Sequence, residues 1–162
     1  MALDVTLLRE SFDLVVERSP RLTHRFYEIL FERYPQTQAM FPLHRRERQE
    51  GMLTEALVAV LDHLEDAPWL TSALHALGAK HLNYGVSAEM YGWVGDALLL
   101  TLAEAAGPAW SPELQAAWAE AYGAIAGLMQ QGATQAESTL TSDRRDLEAW
   151  ASHAEDVEIV RV

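Results

Sequence analysis

Leu74-His75-Ala76-Leu77-Gly78-Ala79-Lys80-His81-Leu82-Asn83-Tyr84-Gly85-Val86 is the stretch from which the rest of the chain is read. On a helix, Leu74, Leu77, Gly78 and His81 fall at i, i+3, i+4 and i+7 and share one face. That face is apolar except for the imidazole at its end. Gly78, one turn before His81, is expected to let a flat group approach the backbone closely. Beyond the histidine the pattern stops, and Gly85 suits the left-handed position that closes a helix. A neutral imidazole ligates metal through one nitrogen while the other needs a partner to fix its direction. The Leu77 carbonyl, four residues back, is placed to be that partner.

Two readings of His81 are open at this point: the proximal ligand of a haem, or a histidine at the boundary of an apolar core, the commoner fate of a lone histidine on such a face. Bulk properties narrow the field. At 162 residues the chain fits one domain with a substantial core. The 12 basic against 24 acidic residues leave a formal charge of −12, which disfavours nucleic acid and anionic membranes as partners. There is no cysteine, so disulfides, thiolate catalysis and cysteine-held zinc or iron–sulfur sites are excluded. No basic segment leads into an apolar core at the N-terminus, and no apolar run approaches a membrane span. A cytoplasmic protein is expected.

The rest of the chain reads as helix after helix. Residues 3–16 carry apolar side chains at 5, 8, 12, 15 and 16. Ser19-Pro20 resembles a cap and first-turn proline for a second helix over 21–34, with Tyr27 about 100° round from Phe26. Tyr34-Pro35 interrupts it, and a short segment leads to Phe41-Pro42. His44, Arg45, Arg46 and Arg48 form a basic run that suits either a solvated helix start or carboxylates at a cofactor's edge.

A long amphipathic helix follows over 49–64, with Gln49 the polar intruder one turn before Leu53. Asp66-Ala67-Pro68 opens the helix quoted above. Ser87 suits a cap for the next, Ala106-Gly107-Pro108 breaks it, and Ser111-Pro112-Glu113 starts the last, which runs to about 135. His24, His44, His63, His75 and His153 read most simply as surface residues, with His44 able to swing towards a cofactor's edge. Residues 138–162 differ in character: a polar stretch, a short helix around Leu147 and Trp150, and an alternating 157–162 that has no strand to pair with.

Phe26-Tyr27, Phe41-Pro42, Gln49, Lys80-His81 and Tyr84-Gly85-Val86 stand in an order and spacing that resembles the bacterial single-domain globins and the globin part of flavohaemoglobins. Tyr91-Gly92-Trp93-Val94-Gly95-Asp96-Ala97-Leu98-Leu99 and Ala117-Trp118 with Ala121-Tyr122-Gly123 look similar too, so the likeness covers roughly 3–135. It implies an all-α globin fold, about six to eight helices sandwiching one haem. The implied division is a globin domain over 1–137 and a C-terminal extension over 138–162, either a short helix and strand or disordered.

Residue by residue, the resemblance makes His81 the proximal iron ligand of haem b, and Tyr27 and Gln49 the distal pair. Phe41 wedges against the porphyrin, Leu53, Val86, Val94 and Leu98 line it, and Lys80 with one of Arg45, Arg46 or Arg48 pairs with propionates. The 32 residues from Gln49 to His81 put the two on different helices, as a sandwich requires. Tyr27 and Gln49 are hydrogen-bond donors, and each could contribute about 1–3 kcal/mol to holding dioxygen in a dry pocket. Tyr91 matches a tyrosine that, with a glutamate, supports the proximal histidine in flavohaemoglobins. The matching glutamate position holds Ala133, and Glu137 lies a turn further on.

The expected function is reversible dioxygen binding, for storage, delivery or scavenging, with nitric oxide or carbon monoxide as further gas ligands. The alternatives are a nitric oxide dioxygenase served by a separate reductase, and a haem-based gas or redox sensor that signals through residues 138–162.

Overall fold

Six α-helices and three 3-10 turns follow one another in the computed structural model, which describes residues 3–142, and no strand occurs among the described residues. Helix α1 spans Val5–Arg18, and its start is fixed by Asp4, whose carboxylate accepts from Leu7 N at 3.0 Å. Ser19 closes α1 rather than capping α2 (Leu22–Arg33), because its N–H is taken by the Val15 carbonyl. Pro35 opens a 3-10 segment, Pro35–Met40, and a second, Leu43–Arg45, runs straight into α3 (Arg46–Asp62).

Asp66 caps α4 (Ala67–Asn83), accepting from Trp69 N at 3.2 Å. The end of α4 follows the expectation for Gly85, which adopts φ +85°. Gly85 N donates to Leu82 O and Val86 N to His81 O, both at 3.0 Å, the paired bonds of a Schellman closure. Ser87 precedes α5 (Ala88–Ala106) in extended geometry without a side-chain bond, Gly107 ends α5 at φ +57°, and Ser111 caps α6 (Pro112–Ser142) through Leu114 N at 3.1 Å. Helix α6 continues unbroken across the expected boundary at 137. The short helix and strand expected beyond Asp143 lie outside the described residues.

Two apolar clusters organise the bundle. Leu8, Phe12 and Val15 of α1 gather with Phe26 and Leu30 of α2, Leu98 and Leu102 of α5, and Trp118 of α6. Ala56 and Val60 of α3 gather with Leu74 and Leu77 of α4, Tyr91, and Ala126 and Met129 of α6. In the first cluster Trp118 Nε1 donates to Ser11 Oγ at 3.0 Å, satisfying a donor that burial would otherwise orphan.

The closest helix crossing joins α4 and α6. Gly78 faces the Met129 backbone so tightly that a β-carbon would overlap its carbonyl, and Gly132 faces the His75 backbone in the same way. This corrects the expectation for Gly78. Its missing side chain admits α6, not a flat ligand, although it lies one turn from His81.

Candidate functional site

A cavity of about 700 Å³ opens where α3 and α4, consecutive in sequence, are held apart. Tyr27, Phe41, Gln49, Leu53, Lys80, His81, Val86 and Val94 all line it, with Arg45 and Arg48. A second, apolar cavity of about 190 Å³ beside it is lined by Tyr91 and Leu98. Apart from Arg46, every site residue expected from the sequence therefore borders one or both of these two adjoining cavities, which share Phe41, Leu53, His81, Val86 and Val94 in their walls. Sequence reasoning passed over Met40, Met52 and Tyr84, which also line it. Met52 sits three residues after Gln49, so helical periodicity alone could have found it.

His81 is held by its own helix. Its Nδ1 lies 2.8 Å from Leu77 O. A carbonyl only accepts, so Nδ1 carries the proton and Nε2 is left with a lone pair. Burial lowers the His81 pKa below its ordinary value, and the Leu77 carbonyl opposes that only in part. The ring is thus neutral and directed, as a metal ligand must be.

On the other wall, Tyr27 packs among three phenylalanine rings, with centroids 5.0 Å from Phe26, 5.2 Å from Phe41 and 5.9 Å from Phe31. Burial pushes its hydroxyl well above the usual tyrosine range. The hydrogen bond with Gln49 pulls the other way, and the Glu50 carboxylate adds to the rise. Tyr27 therefore stays a neutral donor.

The basic run divides. Arg46 is occupied by the fold: its guanidinium lies 4.6 Å over the Phe31 ring and its Nε reaches Phe41 O at 3.4 Å. Arg45, Arg48 and Lys80 border the cavity and supply positive charge there. His44 is exposed. The remaining described histidines are not the plain surface residues expected. His24 pairs with Glu50, His63 stacks on Trp69 at 3.8 Å, and His75 meets Gln131 at 3.2 Å, all three half-buried.

The donor set fits a haem better than a bare ion. Among the described residues no three His, Cys, Asp or Glu side chains cluster as a metal cage, so one directed imidazole suits a metal that brings its own macrocycle. The cavity lies within the roughly 300–1,000 Å³ typical of cofactor pockets, and its rim cations suit carboxylates. The Tyr91 hydroxyl, buried without a hydrogen-bond partner, adds a polar group that a bound molecule could satisfy. Tyr122 does not serve it, since its hydroxyl donates to the Tyr91 carbonyl at 2.6 Å. Without a ligand in place, Tyr91→Phe is expected to raise apo-protein stability by about 1–3 kcal/mol, the cost of an unpaired buried hydroxyl. Thermal melts of the two apo-proteins check this, and a lower melting temperature for the variant would contradict it.

No described helix is long and apolar enough to cross a membrane. Comparison with known proteins agrees with the geometry. A sequence profile described as Globin matches residues 24–129. A flavohemoprotein of Bacillus thuringiensis is 32% identical over 124 residues, and one of Vibrio cholerae 31% over 120 residues. These alignments cover 75% and 73% of this chain but only 30% of each relative, so the chain spans under a third of their length.

Among solved structures, an engineered carbene transferase made from a Rhodothermus marinus protein named as a nitric oxide dioxygenase superposes with a TM-score of 0.74. It is 30% identical, with 85% of this chain and 96% of that one covered. A bacterial globin of Campylobacter jejuni superposes at 0.71 with 24% identity, covering 83% and 96%, and shows the shared fold. A directed imidazole facing a Tyr–Gln pair across an apolar cavity, on six helices, thus has its explanation: the chain belongs to the globin family.

Proposed function

We propose that this globin binds haem b through His81 and reversibly holds dioxygen with Tyr27 and Gln49. The observation that carries this reading is that Tyr27 and Gln49 are hydrogen-bonded to each other in the cavity that His81 also lines. Haem, when bound, would supply an iron that can take up a diatomic gas. Everything else is the work of the chain. His81 presents Nε2 because Leu77 holds Nδ1. Arg45, Arg48 and Lys80 would hold the propionates. Phe41, Leu53, Val86, Val94 and Leu98 exclude water, which strengthens any hydrogen bond made inside. Tyr27 and Gln49 offer an O–H and an N–H to a ligand that accepts.

Tyr27→Phe is expected to speed dioxygen release about tenfold to a hundredfold, the effect of a lost bond to a partly charged acceptor. Gln49→Ala should act in the same direction and less strongly. Stopped-flow displacement of dioxygen by carbon monoxide measures both, and rates equal to the parent's would refute the assignment.

Nitric oxide dioxygenation is the second reading, favoured by the name of the Rhodothermus marinus protein and by the flavohemoprotein relatives. Nitric oxide, dioxygen and one electron give nitrate, so turnover would need a reductase to supply that electron. The unpartnered Tyr91 hydroxyl weighs against a strongly activated proximal side. Sustained nitrate production with a reductase and electron donor would favour the enzyme. A single stoichiometric burst would favour the carrier.

A further inference from the structure

The helix that carries Gln49 has few apolar anchors where Gln49 sits, half-buried Leu53 against the core cluster being the main one. The buried residues of α3 are Ala56, Val60 and Leu61, all in its second half. Besides Leu53 and the Arg46 guanidinium over Phe31, its first half, residues 46–55, is joined to α2 by polar side-chain bridges. Tyr27 with Gln49 is one. His24 Nδ1 stands 3.1 Å from Glu50 Oε1 and 3.2 Å from Oε2. Thr54 donates to the Glu50 carbonyl at 3.0 Å, so the 3.1 Å contact between Thr23 Oγ1 and Thr54 Oγ1 has Thr23 as donor. His24 Nε2 also lies 3.9 Å from Glu28 on its own helix. His24 is one turn before Tyr27 and Glu50 directly follows Gln49, so this contact bears on the same two turns as the distal pair.

We propose that His24 and Glu50 form a clasp between α2 and α3 that positions Gln49 for Tyr27 and thereby sets how tightly the pocket holds its gas ligand. Its ligand half rests on the reading of Tyr27 and Gln49 given above. The physical basis is geometric. A hydrogen bond weakens steeply as its angle closes, and a glutamine side chain has three free torsions with which to wander. Only a fixed backbone keeps its amide in range. The Glu50 side chain is 18% exposed and that of His24 40%, so the pair contributes little to global stability. Its effect is local, on the half of α3 that apolar packing leaves loose.

The haem-loaded protein tests this with His24→Ala, Glu50→Ala and the conservative His24→Asn, whose side-chain amide can still donate to Glu50. Two readouts are taken: backbone amide exchange across 46–55, and the dioxygen dissociation rate. In both alanine variants, exchange is expected to quicken about tenfold and dissociation to rise about threefold to tenfold, with little change in melting temperature. His24→Asn should restore both. Unchanged exchange and unchanged dissociation in the alanine variants would overturn the clasp. Dissociation that rises in Gln49→Ala but not in Glu50→Ala would overturn it while the gas-binding reading stands. Dissociation indifferent to Gln49→Ala would overturn that reading and the ligand half of the proposal, and exchange across 46–55 would still decide the mechanical half.

Discussion

His81→Ala is expected to lose haem during purification, leaving no Soret band in the folded fraction. Metal-site partners one step removed from the ligand commonly cost tenfold to a hundredfold in affinity, and deletion of the ligand itself should exceed about a hundredfold. The helix should survive, because alanine favours helix and the Leu77 carbonyl can be hydrated at the cavity edge. Added imidazole should restore binding by entering the space that the side chain vacates. Titration of apo-protein with haemin, followed by absorbance with and without imidazole, measures both effects. Tight binding with an unchanged ferrous spectrum in His81→Ala would remove His81 from the proximal role.

The second large effect is structural. Gly78→Ala puts a β-carbon into the Met129 backbone, where no side chain can rotate away. Either α4 and α6 separate or α4 shifts along its axis, and both disturb the most extensive helix pairing in the bundle. A loss of about 3 kcal/mol or more is expected, a fall in melting temperature of about 6–12 °C for a chain of this size. Because His81 lies one turn further along α4, haem affinity should fall as well.

Gly127→Ala provides the contrast on α6. A β-carbon there meets nothing within 4 Å, so the better helix former should stabilise by about 0.5–1 kcal/mol. Parallel thermal melts compare the two. Equal stability of Gly78→Ala and the parent would mean that the crossing is looser than its geometry states.

The helices, most of the stops between them and most of the cavity lining were legible in the residues alone, although Ser19 reads as the cap of the wrong helix. Apolar spacing of three and four residues follows from helical geometry and needs no partner to be legible. The stops were legible because Pro35, Gly85, Gly107 and Ser111 act on their own backbone or on the next turn. The Leu77–His81 bond was legible for the same reason, both groups lying on one helix four residues apart.

The contacts between helices distant in sequence came only with the packed fold. It turned Gly78 towards Met129, gave Arg46 to Phe31, and left the Tyr91 hydroxyl without a partner. It also joined His24 to Glu50 across two helices, where the sequence offers only an unremarkable pair of surface-like residues. The physical reason is that helical periodicity says which face of a helix is apolar but not what meets that face. Crossing angle and depth come from the packing of all the helices together.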